Sequence, residues 1–80
     1  MEVIIRDFNI DDTTSLAGLT HQLGYPTTAA EMSARMEMIS QNPDYKTAVA
    51  VLGSNVVGYV GINRQWFWEQ NGCFVRIQGI

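Results

Sequence analysis

The sequence predicts an α+β fold with the element order β-α-α-β-β-β, and three observations carry that reading. A short β-branched run, Val3-Ile4-Ile5-Arg6-Asp7-Phe8, comes first; apolar residues then recur at helical spacing up to Asn42; from Tyr45 onward the period drops to two. Short turns join the later β segments, so the sheet is expected to be mostly antiparallel, with both helices packed on one of its faces.

The first strand closes at a polar cluster. Asp11 and Asp12 then stand where a carboxylate caps a helix and favours the positive end of its dipole. Leu16, Leu19 and Leu23 give an apolar stripe at i, i+3 and i+7, which predicts a helix over about 13–23. Gly24 sits where a left-handed C-terminal cap belongs, and Pro26 blocks continuation. Thr28-Ala29-Ala30-Glu31 is a capping box that opens a second helix. Ala29, Met32, Met36 and Ile39 share one face of it, and Asn42-Pro43 ends it.

From Tyr45 to Leu52, Thr47, Val49 and Val51 alternate with Ala48, Ala50 and Leu52. Both sets are largely apolar, as in a strand covered on both faces or nearly so. Gly53-Ser54-Asn55 reads as a three-residue hairpin loop, and the next strand starts at Val56 and extends toward Trp68. Gly58 and Gly61 fall on opposite faces of it, where each marks a bulge or a close approach. Asn71-Gly72 is a strong hairpin signal, and it leads into the last strand, Cys73 to Ile80. That strand runs to the final residue without a turn or polar tail, so we expect its continuation to be missing or supplied by another molecule.

Composition narrows the function classes. Eighty residues make one domain at most, too small to wall a deep catalytic cleft. With 46% apolar and 16% charged residues the chain is globular, and no apolar run approaches the roughly 20 residues of a membrane span. The net charge is -3 and the five basic residues are scattered singly, which argues against nucleic acid as a partner. Cys73 is the only cysteine, so no internal disulfide forms. The N-terminus lacks a signal peptide's basic start and long apolar core, and a cytoplasmic location is expected.

Few side chains point to chemistry. His21 has no second histidine or spaced carboxylate to complete a metal site, and none is expected. Glu69 is the only acidic residue after Asp44, a weak candidate for a general base beside its ordinary reading as a solvated loop residue. Cys73 reads as a small buried hydrophobe rather than a nucleophile, and the methionines as helix packing. Trp66-Phe67-Trp68 leaves at least one ring hard to bury in so small a body, as a substrate wall, an oligomer contact or cover for a missing half.

Taken together, the element order and several local phrases resemble the N-terminal half of a GNAT-family acyl-CoA N-acyltransferase. The phrases are Ile5-Arg6-Asp7, Leu19-Thr20-His21-Gln22-Leu23-Gly24-Tyr25-Pro26, Val49-Ala50-Val51 with Val56-Val57-Gly58-Tyr59 after the turn, and Val75-Arg76-Ile77-Gln78-Gly79-Ile80. The resemblance implies acetyl transfer from acetyl-CoA to a primary amine. It places His21 and Tyr25 on the acceptor-substrate side, and it gives the strand backbone of Ile77, Gln78, Gly79 and Ile80 to the acetyl and pantetheine arm. It also implies that the single domain, 1–80, is partial. The family's pyrophosphate loop, Arg/Gln-x-x-Gly-x-Gly/Ala at a helix N-terminus, comes after the fourth strand, and the chain stops before it. Where several relatives carry a glutamate as candidate base, this chain has Gln78, which cannot accept a proton.

The leading expectation is therefore a portion of an N-acetyltransferase that is inactive alone, acting in its full form on a small-molecule or peptide amine. The alternative is a non-catalytic interaction module that forms homo-oligomers through its exposed terminal strand. A small α+β ligand-binding domain unrelated to that family is a third reading.

Overall fold

The computed structural model describes residues 2–79, with the side chains of residues 2–77. In chain order the elements are strand β1 (Val3–Asp7), a 3-10 turn (Ile10–Asp12), helices α1 (Thr13–Gln22) and α2 (Ala29–Gln41), and strands β2 (Tyr45–Leu52), β3 (Asn55–Trp66) and β4 (Cys73–Gly79). The four strands form one antiparallel sheet in the order β1-β2-β3-β4. The β-α-α-β-β-β prediction is borne out.

Asn9, not Asp11 or Asp12, caps the entry to the first helical segment. Its side chain accepts from the Asp11 amide, while the Asp12 carboxylate reaches back to the Asn9 amide at 2.8 Å. Asp12 has a second task that explains the difference. Both its oxygens accept from the Arg6 guanidinium at 2.8 Å, clamping β1 to the start of α1. The guanidinium hydrogen bond holds the Asp12 carboxyl below the usual aspartate range, against the opposing effect of burial.

The buried face of α1 is Thr13, Leu16, Ala17 and Thr20, rotated from the expected leucine stripe. Leu23 is 55% exposed. Threonine is admitted to the interior because each hydroxyl has a partner: Thr13 donates to the Ile10 carbonyl, and Thr20 pairs with the Tyr59 hydroxyl. Gly24, at φ +94°, then closes the helix: its amide bonds the His21 carbonyl and the Tyr25 amide bonds the Thr20 carbonyl. The Thr28–Glu31 capping box of α2 forms as the sequence requires.

Leu16, Ala17, Met32, Met36 and Val49 make the core, with Phe8, Ile39, Val51, Val56 and Tyr59 packed against it. Both helices thus lie on the sheet face that carries Val49, Val51 and Tyr59. The opposite face, with Ile5, Ala48, Ala50, Val60, Ile62, Val75 and Ile77, has no layer over it among the described residues, so β2 is covered on one side and not on two. Met38 is an exception to helix packing, at 74% exposed, and Ala29 is exposed as well. Two helices are too few to cover the whole sheet. The radius of gyration is 14.0 Å, against about 11.6 Å for a compact chain of this length, because the β3–β4 ribbon projects beyond them.

The loops are also more specific than their sequence signals. Asn55 already pairs with Leu52, leaving Gly53-Ser54 as a two-residue turn with Gly53 at φ +65°. The β3–β4 connection runs from Phe67 to Gly72, longer than a tight Asn-Gly turn. Stacking of Phe67 on Phe74, with centroids 5.2 Å apart, organises it. β3 therefore ends at Trp66, and Trp68 projects fully into solvent from the loop. Cys73 is exposed, contrary to its reading as a buried hydrophobe, since it opens β4 on the uncovered ribbon. Both glycine positions of β3 adjoin irregular register as expected: Val57 is an extra residue beside Gly58, and the pairing with β4 shifts between Gly61 and Ile62.

Candidate functional site

The side chains with converging chemistry lie between α2 and the sheet. Met32, Met36 and Ile39 form one wall of a pocket of about 180 Å³, and Thr47, Tyr59 and Gly61 form the other. Hydrophobic periodicity makes the first wall. Met32, Met36 and Ile39 fall at i, i+4 and i+7 on α2, so they must face the sheet. Strand alternation makes the second, because Tyr59 stands opposite Val49, and Gly61 opposite Thr47, on the helix-covered side. The floor is polar but satisfied: the Thr20 and Tyr59 hydroxyls are 2.6 Å apart.

Arg35 interrupts the apolar wall at i+3 from Met32. Its guanidinium rests 4.0 Å from the Met32 sulfur and 3.5 Å from the Thr27 hydroxyl, at the pocket's rim. The other side of Tyr59 faces a second hollow of about 340 Å³, bounded by Leu19 and Gln22 of α1, by Leu23 at its C-cap, and by Val57 and Gly58 of β3. Val57, the extra residue of the β2–β3 register shift, lies on its rim.

His21 and Tyr25 lie at the exposed end of α1 and just beyond it, the latter 71% exposed; they line neither hollow. Glu69 is exposed in the β3–β4 loop. Ile77 stands opposite Ile62 on the uncovered face, and the backbone of Gln78 and Gly79 continues β4. Ile80 lies outside the described residues. Among the described residues β4 has a hydrogen-bonded neighbour only in β3, so half of its amides and carbonyls face outward.

One buried polar atom is unaccounted for. Asn63 is 7% exposed on β3, between Tyr45 and Arg76 on the neighbouring strands, and its Oδ1 has no hydrogen-bond partner among the described residues. No group of three or more His, Cys, Asp or Glu side chains comes together among those residues. No helix there is long and apolar enough to cross a membrane.

The α2 pocket itself was not anticipated from the sequence. Two signals could have marked it: an arginine inside an otherwise apolar helical face, and a tyrosine on a strand position facing the same core.

Comparison with solved structures follows this geometry closely. A GNAT family acetyltransferase from Staphylococcus aureus superposes with a TM-score of 0.85 at 29% identity, over 99% of this chain and 61% of that one. An acetyltransferase of the GNAT family from Streptococcus pneumoniae gives a TM-score of 0.66 at 18% identity, over 95% of this chain and 55% of that one. No family model matches, and no curated protein matches. The chain thus has the N-terminal part of the GNAT acetyltransferase fold, as its sequence phrases indicated. It spans about three fifths of the length of these two relatives.

Proposed function

We propose that this chain supplies the acceptor side and the first cofactor-side strand of an acetyl-CoA-dependent N-acetyltransferase. The observation that carries this is the superposition of 99% of the chain on a GNAT family acetyltransferase at a TM-score of 0.85. The pocket beneath α2 holds the body of the acceptor, with His21 and Tyr25 contacting substrate at the open end of α1. The free edge of β4, through Ile77, Gln78, Gly79 and Ile80, runs beside the acetyl-bearing arm.

In the reaction the amine nitrogen attacks the thioester carbonyl, a C–N bond forms as the C–S bond breaks, and the products are an acetamide and coenzyme A thiol. The proton lost by nitrogen passes to water, or less directly to Glu69, and the departing thiolate takes one up. Most of the rate comes from holding amine and thioester together and from stabilising the carbonyl oxygen. Contacts to the pyrophosphate come from outside residues 1–80, and the chain by itself is inactive.

Titration of the 80-residue chain with acetyl-CoA, followed by backbone amide resonances, tests this. Weak shifts confined to β4 and its neighbours are expected. Micromolar affinity would overturn the division of labour, and shifts centred on β1 would overturn the placement of the arm.

A second reading has its own support. β4 is an open edge strand whose Val75 and Ile77 are 63% and 61% exposed, a template for pairing with another copy. Sedimentation at high concentration decides it: a dimer lost on Val75→Lys favours self-association, and a monomer throughout removes it.

A further inference from the structure

We infer that the acceptor recognised by the α2 pocket carries a carboxylate beside an apolar body, and that Arg35 is its anchor. The inference rests on the acceptor reading above and names the substrate class.

Position comes first. Arg35 shares its helix face with Met32, Met36 and Ile39, the residues that wall the pocket, so its aliphatic stem joins that wall while its head reaches the rim. Among the described residues three other cations have a carboxylate partner, Arg6 with Asp12, Lys46 with Asp7 and Arg64 with Asp44, whereas no salt bridge is made by Arg35 or by Arg76 on β4. Arg35 has only a thioether and a hydroxyl, at 4.0 and 3.5 Å. Glu31, the acid one turn earlier, is close enough to feel the Arg35 charge, but its hydrogen bond goes to the Thr28 amide at 2.9 Å.

A guanidinium presents a planar fork of donors that matches a carboxylate in a bidentate contact. Here that fork stands exposed at the edge of an apolar wall, so a carboxylate that meets it can lay an attached apolar body against Met32 and Met36. Size sets the other limit. At about 180 Å³ the pocket is smaller than the roughly 300 Å³ at which drug-sized sites begin, which suits one amino-acid-sized body. The Thr20 and Tyr59 hydroxyls are bonded to each other in its floor, and the rest of the inner wall is apolar, which favours an apolar body deep inside. An α-amino acid with a large apolar side chain meets these terms: ring or branch inside, carboxylate on Arg35, primary amine at the mouth.

The probes are phenylalanine and phenylalaninol, which share a ring and a primary amine and differ in the carboxylate. Amide resonances of Met32, Met36 and Tyr59 in the 80-residue chain report binding. Phenylalanine is expected to bind at least about tenfold more tightly than phenylalaninol. Arg35→Gln should abolish that preference while leaving residual ring binding. Gly61→Val should weaken both probes, because a Cβ at Gly61 meets nothing within 4 Å and the added branch enters the pocket without a clash. Equal affinities for the two probes, a preference that survives Arg35→Gln, or no shift with either at roughly 20 mM would each overturn the inference. Acetyl-CoA takes no part, so the two readings fail separately. Carboxylate selection without cofactor shifts at β4 counts against the acetyltransferase role alone, and β4 shifts without carboxylate selection count against Arg35 alone.

Discussion

The hydroxyls of Thr20 and Tyr59 stand 2.6 Å apart, joining α1 to β3 across 39 residues of chain. Each group makes the other's burial tolerable: Thr20 is 8% exposed, and a lone hydroxyl there would lose its hydration without return. Tyr59→Phe is therefore expected to cost about 1–2 kcal/mol in urea denaturation. Thr20→Val in the Tyr59→Phe background should recover part of that loss, since it removes the orphaned partner. Equal losses that simply add would show that the pair is not coupled.

Acid should loosen the junction between β1 and α1. Asp12 has its folded pKa lowered, chiefly by the Arg6 hydrogen bond. A depressed carboxyl contributes stability that is complete above the unfolded value, about 3.9, and is lost as pH falls from there through the lower folded value. Denaturation midpoints measured down this range should fall for the native chain and vary less for Asp12→Asn. At neutral pH Asp12→Ala should cost about 1–2 kcal/mol through loss of the cap on the Asn9 amide.

Asn63 should be improvable. Its Oδ1 is buried without a partner, a cost that an apolar, β-branched residue in the same strand position would remove. Asn63→Val is expected to raise stability by about 1 kcal/mol, read from the urea midpoint at unchanged m-value. A loss of similar size would mean that the Asn63 amide has a partner in solution.

Much of the fold is legible because local rules and tertiary packing agree. The Thr28–Glu31 capping box, the Gly24 stop and the change of period at Tyr45 each act within a few residues, and each forms as written. The differences arise where a distant partner decides. Thr20 takes a place on the α1 core face that Leu23 does not because the Tyr59 hydroxyl, 39 residues further on, receives it. Asp12 leaves ordinary capping because Arg6, six residues earlier, comes within reach only once β1 is placed. Cys73 and Trp68 are exposed because the ribbon extends past the two helices, a matter of layer size that hydropathy does not encode. The same limit governs the site. The family phrases indicate the fold, whereas the pocket requires knowing that Tyr59 and Met36 share a cavity.

The strand order β1-β2-β3-β4 matches the order of synthesis, and this shapes how the chain acquires its structure. β2, β3 and β4 are joined by loops of two and six residues, so their pairing closes short loops and proceeds early. β1 is separated from β2, the strand it pairs with, by both helices. During synthesis β1 stays an unpaired apolar segment until Tyr45–Leu52 has emerged. Its pairing with β2 is the late, nonlocal step that seats α1 and α2 on the sheet.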